Sequence, residues 1–242
     1  MKRQHVTLLE IASYENLLLA AHKAARAKKH QQNVQRFLAS LDDNLRVLSQ
    51  DILAGKLPYG RFKTFEIYDP KRRWIHAACF EDRVFHHAVM NIAGPTLERA
   101  MFYHSYACRR HKGVHKAIEQ VQKNLQRYAY FVKIDIEAYF TKVDHDCLMR
   151  LLEGKYKGDE FLAQLWRVLK SCPEREALGL PIGSLTSQYF ANFYLDGLDR
   201  FLAGHPEVRA NLRYMDDVLW WCDSKAQAQE LLAEVKAYLL KE

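Results

Sequence analysis

The sequence predicts a mixed fold of the α/β (α+β) class, in which helices and β-strands both occur. Three observations lead to this prediction. Residues 7–54 carry apolar side chains at helical spacing, residues 62–78 alternate like a β-hairpin, and two apolar runs, 129–136 and 212–221, have the composition of strands. Because helical and strand-like runs both occur along the chain, the pattern predicts a mixed fold of helices and strands.

The composition describes a chain that can fold around a substantial core. It has 242 residues, of which 49% are apolar, and a formal charge of +7 that favours polyanionic partners. The cysteines number five, are scattered and form no Cys-x-x-Cys pair, which argues against a disulfide framework or a zinc knuckle. Glu10 and Glu15 interrupt what would be the core of a signal peptide, and no apolar run approaches membrane-spanning length, so we expect a cytoplasmic protein.

The elements follow from periodicity and from turn residues. Residues 7–29 and 31–54 predict two helices, which Gly55 and Pro58 end. Residues 62–68 and 72–78 predict a hairpin turning at Asp69-Pro70. The remaining predicted elements are a helix over 80–93 with a restart at Gly94-Pro95, a helix from Gly113 to about Tyr128, a strand over 129–136, helices over 146–153, 159–170 and 184–203, two short strands within 212–221, and a helix over 225–240.

Two adjacent acids interrupt the apolar run "LRYMDDVLWW". Asp216 and Asp217 would be costly to bury unpaired in such a run. Taken alone, an Asp-Asp pair is most often a β-turn. A second apolar strand, however, also ends on an acid, Asp135.

Three carboxylates on neighbouring strands would repel one another unless a cation lay between them. Oxygen ligands without a nearby His or Cys favour Mg²⁺ or Mn²⁺. A pair of such ions about 4 Å apart is the device that clamps the attacking and leaving oxygens in nucleotidyl transfer. The sequence therefore predicts a site for two Mg²⁺ or Mn²⁺ ions at Asp135, Asp216 and Asp217.

Several motifs in order resemble one known family. "FVKIDIEAYFTKVDH", "GLPIGSLTSQYFANFYL" and "YMDD" resemble the palm of bacterial reverse transcriptases of the retron and group II-like lineage. "RRWIHAACFEDRVFHHAV" is similar to the fingers motifs, and "SYACRRHKGVHKA" to the block that follows them. The resemblance implies a right-hand polymerase with N-terminal helices and fingers over 1–128, further fingers elements within 155–182, and a ferredoxin-like palm with an antiparallel sheet over 129–242. On the family pattern, the chain would stop before the last palm strand, and the thumb would be absent.

The resemblance implies roles for individual residues. Asp135, Asp216 and Asp217 match the catalytic carboxylates, and the backbone carbonyl of Ile136 would complete the metal site. Phe140 matches the aromatic steric gate that excludes a ribose 2′-OH, although on composition a core phenylalanine is an equal alternative. The resemblance further implies that the incoming nucleotide contacts Lys63, Arg72, Arg73, Ile182, Gly183 and Gln188.

The template and primer have implied contacts of their own. Arg109, Arg110 and Lys112 form a basic cluster suited to template phosphates. Tyr214 and Met215 would lie near the primer end. The implied partners are an RNA template, a DNA primer or cDNA, and dNTPs.

Ile182 and the pair Ser187-Gln188 resemble the enzymes of diversity-generating retroelements. That subgroup copies RNA with frequent errors at adenine and works with a small basic accessory protein. Ile182 replaces an amide side chain, and because a buried hydrogen bond discriminates more strongly than an apolar contact, reduced fidelity follows as a hypothesis.

Other interpretations stay open. The chain could be a catalytically weak or inactive nucleic-acid-binding remnant, or a retron or group II intron enzyme. Cys108, His111 and His115 could be metal ligands, but a fourth ligand is missing and cations intervene. Asp144 and Asp146 form a rival acid cluster that is better explained by a helix start.

Overall fold

In this computed structural model the protein is described over residues 2–69, 71–171 and 177–240, and at positions 69, 71 and 73 by its backbone alone. The chain separates into two compact units. Unit 1 comprises Met1–Arg99 and Phe140–Tyr189, and unit 2 comprises Ala100–Tyr139 and Phe190–Glu242. The chain enters unit 2 at Ala100, returns to unit 1 at Phe140 and enters unit 2 again at Phe190.

The helices and strands alternate irregularly along the chain. The helices are α1 (Leu8–Ala12), α2 (Tyr14–Ala25), α3 (Gln32–Ala39), α4 (Leu41–Leu53), α5 (Phe80–Ala100), α6 (Val114–Leu125), α7 (Tyr139–Lys142), α8 (His145–Glu153), α9 (Asp159–Lys170), α10 (Leu185–Tyr194), α11 (Asp196–Gly204) and α12 (Lys225–Leu239). The strands are β1 (Gln4–His5), β2 (Phe62–Asp69), β3 (Lys71–Ala78), β4 (Tyr130–Asp135), β5 (Tyr156–Lys157), β6 (Ala210–Tyr214) and β7 (Asp217–Cys222). A mixed fold with small, mainly antiparallel sheets is therefore confirmed.

The N-terminal helical region breaks where capping side chains compete with the helix. Ser13 is extended, and its hydroxyl accepts a hydrogen bond from the Asn16 amide, so it begins α2 just after α1 ends. The predicted single helix over 7–29 is therefore two helices. Ile11 and Leu17 are fully buried in unit 1.

Helix α5 continues through Gly94-Pro95, where the sequence predicted a restart. Proline removes one helical donor and usually kinks or ends a helix. Two side chains that are distant in sequence donate hydrogen bonds to backbone carbonyls just before Pro95. The Gln4 amide donates to the Ile92 carbonyl at 3.2 Å, and the Tyr156 hydroxyl donates to the Ala93 carbonyl at 2.7 Å. Among the described residues, no helix is both long and apolar enough to cross a membrane.

Strands β2 and β3 form the predicted hairpin. They pair antiparallel from Phe62 opposite Ala78 to Asp69 opposite Lys71. Because side chains alternate along a strand, Lys63 and position 73 lie on one face and Arg72 lies on the other.

Unit 2 is built on the antiparallel sheet β4-β7-β6. Trp220 and Trp221 on the central strand are fully buried, and Leu212 on β6 packs in the same core as Trp221. Helix α12 lies against β4 and β7 and buries Leu231 and Val235. The predicted helix 184–203 is two helices, α10 and α11, because Leu195 leaves helical geometry between them.

Candidate active site

A tight hairpin carries the acid pair. Tyr214 on β6 pairs with Asp217 on β7, so Met215 and Asp216 form a two-residue turn. Met215 has a φ of 56°, in the left-handed region that non-glycine residues rarely adopt. Such strain persists only where the surroundings fix it, and it is typical of functional turns.

Strand β4 brings the third acid to this turn. Asp135 lies directly opposite Asp217 in the β4–β7 register, so the two side chains project from the same face of the sheet. The Ile136 amide donates to the Asp216 carbonyl at 3.2 Å, which ties the turn to the end of β4. The structure thus brings Asp135, Asp216 and Asp217 to one end of the sheet.

Lys133 supplies positive charge beside the acids. Its Nζ lies 2.8 Å from Asp217 Oδ1, and its side chain is 54% exposed. The hydrogen bond with Asp217 raises the pKa of Lys133, and the charges of Asp135 and Asp216 raise it further. One ammonium group therefore lies in the field of all three carboxylates.

The donor set suits a hard divalent cation. Within the described ranges, no three His, Cys, Asp or Glu side chains are arranged as they stand to hold a metal ion. The available donors are nevertheless carboxylate and backbone oxygens alone, which Mg²⁺ and Mn²⁺ prefer. Such an ion could bind here if it displaced Lys133 from Asp217. Its ligands would be the carboxylates of Asp135, Asp216 and Asp217 and the backbone carbonyl of Ile136.

The hairpin in unit 1 does not present its three predicted cations together. Arg72 forms an ion pair with Glu66 on its own face of the hairpin, with Nη2 2.9 Å from Oε2. Lys63 lies on the opposite face, and the side chain of Arg73 falls outside the described part of the chain. Since the Arg72 pair is exposed, it is weakly held and a phosphate could replace Glu66.

The loop between α9 and α10 joins several predicted nucleotide contacts. The Leu180 amide donates to the Phe140 carbonyl at 2.7 Å, and the His76 amide donates to the Ile182 carbonyl at 3.2 Å. Gly183 is exposed with a φ of 106°, which a side chain would strain. Phe140, Ile182 and Gln188 are all half-buried.

A row of buried, hydrogen-bonded polar side chains lies next to this loop. Ser184 Oγ and Thr186 Oγ1 are 2.9 Å apart, and Thr186 Oγ1 lies 3.2 Å from His86 Nδ1. Burial lowers the pKa of His86 to about 4, so this imidazole is neutral at physiological pH. The neutral ring can form a hydrogen bond with the Thr186 hydroxyl. We therefore interpret His86 as a structural residue that supports this loop.

Two of the predicted template cations brace their own loop. The Arg109 guanidinium donates to the carbonyls of Phe102 and Ser105 at 2.5 and 2.9 Å. Lys112 donates to the Tyr103 carbonyl at 2.9 Å and lies 3.4 Å from the centre of that ring. Arg110 is exposed, Tyr214 is half-buried, and the Met215 side chain is buried.

A basic groove in unit 1 was not predicted. It has a volume of about 980 Å³, at the upper end of ligand-pocket sizes. Its cationic lining is Lys28, Arg61, Lys63 and Arg83, and the rings of Phe62 and Phe65 lie among these charges. Cations interleaved with aromatic rings are typical of surfaces that bind single-stranded nucleic acid.

The rival clusters have structural explanations. Asp144 accepts a hydrogen bond from the Cys147 amide at 2.7 Å and so caps α8, as its position before a helix predicted. Cys108 and His111 both have positive φ in an exposed loop, and they belong to no three-ligand group among the described residues.

Sequence reasoning missed two residues of the site. Lys133 lies two residues before Asp135, so strand alternation alone would have placed it on the same face. Arg213 lies within an apolar strand next to the turn, and a buried charge at such a position requires a partner.

Comparison with known proteins gives a consistent result. Residues 69–242 match the family described as reverse transcriptase (RNA-dependent DNA polymerase). The chain is 23% identical over 225 residues to the putative COX1/OXI3 intron 2 protein of Saccharomyces cerevisiae, covering 87% of this chain and 26% of that protein. It is 26% identical over 138 residues to the group II intron-encoded protein LtrA of Lactococcus lactis subsp. cremoris, covering 54% of this chain and 23% of LtrA.

A solved structure shows the same fold. A chain of a partial Cas6-RT-Cas1–Cas2 complex superposes with a TM-score of 0.52 at 20% identity, over 97% of this chain and 41% of that one. The chain therefore spans about a quarter of the curated relatives and less than half of this structural neighbour. Because the family match extends over well more than half of its length, the chain belongs to the reverse transcriptase family.

Proposed function

We propose that this chain catalyses RNA-templated DNA synthesis, adding dNTPs to a primer 3′-OH at the carboxylates Asp135, Asp216 and Asp217. One observation carries the proposal: Asp135 lies opposite Asp217, and the Ile136 amide ties the Asp216 turn to the same end of the sheet. Two divalent ions bound there would neutralise charge on the attacking and leaving oxygens.

The remaining chemistry is positioning by the chain's own side chains. The primer oxygen forms a bond to the α-phosphorus while pyrophosphate leaves, and this transfer relies on orientation and charge. We assign the triphosphate to Lys63, Arg72 and Arg73, and the sugar and base to Phe140, Ile182, Gly183 and Gln188. Template phosphates are assigned to Arg110 and, if their loop opens, to Arg109 and Lys112, and the primer end to Tyr214 and Met215.

A primer-extension assay tests this function. The full chain is given an RNA template, an annealed DNA primer and dNTPs, with Mg²⁺ or Mn²⁺, and the product is sequenced. We expect complementary DNA that disappears with a chelator and returns when the metal is restored. Tight RNA binding without any synthesis would instead support the second candidate, a nucleic-acid-binding remnant, which the basic groove around Lys28 and Arg83 favours.

We further propose the error-prone, diversity-generating subtype, with a small basic accessory protein as partner. Ile182 is half-buried and its backbone carbonyl accepts a hydrogen bond from the His76 amide, so the main chain at this residue is held while part of its side chain stays accessible. The Ile182→Gln variant is expected to lower misincorporation about tenfold, because an amide restores a discriminating hydrogen bond.

Sequencing of extension products from both proteins measures this effect. Ile182→Leu is the matched control, since it keeps an apolar side chain of the same size and should leave the error rate unchanged. Equal accuracy of the Gln variant and the parent would contradict the subtype.

A further inference from the structure

A fully buried arginine adjoins the catalytic turn. The side chains of Arg213 and Asp199 are both 0% exposed. Arg213 Nε lies 2.9 Å from both Asp199 carboxylate oxygens, and Nη2 lies 2.7 Å from Asp199 Oδ2. The charge is therefore paired on one side of the guanidinium only.

The remaining donors of the guanidinium point to two backbone carbonyls and one side-chain amide oxygen. Nη1 donates to the Met215 carbonyl at 3.0 Å and to Asn192 Oδ1 at 3.3 Å, and Nη2 donates to the Asn192 carbonyl at 2.7 Å. The Arg213 main chain is held as well, since its amide donates to the His104 carbonyl and its carbonyl accepts from the Tyr106 amide. One residue thus links α10, α11, the loop before α6 and the turn.

We propose that Arg213 is a positioning residue, which holds the Met215–Asp216 turn in its strained conformation by binding the Met215 carbonyl. Met215 has a positive φ, and a non-glycine residue in that region would relax unless its neighbours fixed it. The Met215 carbonyl belongs to the peptide bond between Met215 and Asp216. A hydrogen bond to it therefore fixes the position of the Asp216 main chain, from which the carboxylate projects. In its catalytic consequences this inference rests on the proposed function.

Stability alone does not explain the pair. Replacing a buried ion pair by apolar side chains is often neutral or stabilising, so such a pair is weak evidence for a contribution to folding. A lysine would satisfy Asp199 as a point charge. Only the planar fork of arginine has enough donors in fixed directions to reach Asp199, Asn192 and Met215 together.

Two variants separate positioning from support of the fold. Arg213→Lys keeps the charge pair and loses the bond to Met215, whereas Asp199→Asn breaks the charge pair and leaves Nη1 facing Met215 and Asn192. Hydrogen exchange measures the turn directly through the Ile136 amide, which is bonded to the Asp216 carbonyl. We expect this amide to exchange at least about tenfold faster in Arg213→Lys than in Asp199→Asn after both are compared at equal global stability.

Activity provides the second readout. Arg213→Lys is expected to lower kcat by about 100-fold, the cost of a misplaced catalytic group, with the KM for dNTP nearly unchanged. Asp199→Asn should lower kcat per folded molecule far less. If kcat fell in both variants in proportion to their loss of global stability, the proposal would be overturned. An inactive parent with the expected exchange pattern would count against the proposed function and leave the positioning role supported.

If either variant does not fold, hydrogen exchange in the parent protein gives an independent test. In low denaturant, the Ile136 and Tyr106 amides should exchange with one common free energy of opening, because Arg213 anchors both the turn and the loop before α6. If the Ile136 amide exchanged with a much lower free energy of opening than the Tyr106 amide, the turn would open separately, and Arg213 would not be what holds it.

Discussion

The Asp216→Asn variant is expected to lose nucleotide addition by about a thousandfold or more, because an amide in place of the carboxylate removes negative charge that would hold the divalent ions. The turn itself should survive the change. Its bond to β4 uses the Asp216 backbone carbonyl, which accepts from the Ile136 amide, and asparagine has nearly the same size. RNA binding should therefore persist, since the basic groove of unit 1 contains no part of this turn.

Primer extension under single-turnover conditions measures the loss, and RNA binding is measured on the same preparations. Asp146→Asn is the matched control, because Asp146 is an exposed acid in the first turn of α8 and belongs to the rival cluster. The control should add nucleotides at the parental rate. An Asp216→Asn variant that extends primers normally, or an Asp146→Asn variant that is equally impaired, would contradict the assignment of the active carboxylates.

Local sequence signals account for the elements that were predicted well. The β2–β3 hairpin follows from alternation and a turn at Asp69-Pro70, and the strands that carry Asp135 and the Asp216–Asp217 pair follow from apolar composition. The continuity of α5 through Pro95 could not be predicted in this way. Its support comes from Gln4 and Tyr156, which are distant in sequence.

The same distinction applies to the site. Asp135 and Asp217 could be paired from the sequence because each ends or begins an apolar strand. Arg213 was missed because it lies on strand β6 while its partner Asp199 lies on helix α11, and no local sequence pattern indicates that contact. The faces of the hairpin on which Lys63 and Arg72 lie depend on the register of β2 against β3, which the strand period of two does not give by itself.

In the Phe140→Ala variant, discrimination against ribonucleotides is expected to fall by about 100-fold. This is about the factor by which an apolar pocket discriminates against a substrate with one added hydroxyl. The Phe140 side chain is less buried than the one beside it. Tyr139 beside it is buried and donates to the Ala191 carbonyl at 2.5 Å, whereas Phe140 is half-buried. A ring that keeps part of its surface exposed can contact an incoming nucleotide, as the proposed steric gate requires.

Competition between dNTP and rNTP in primer extension gives the discrimination ratio for each variant. Truncation at Phe140 should raise rNTP incorporation while dNTP incorporation changes little, because the Phe140 backbone carbonyl still accepts from Leu180 and keeps the loop in place. Tyr139→Phe is the matched control: it removes one buried hydroxyl, should cost about 1 kcal/mol of stability, and should leave the ratio unchanged. An unchanged ratio in Phe140→Ala would mean that the 2′-OH is excluded elsewhere, since no other feature of this variant could restore the lost bulk.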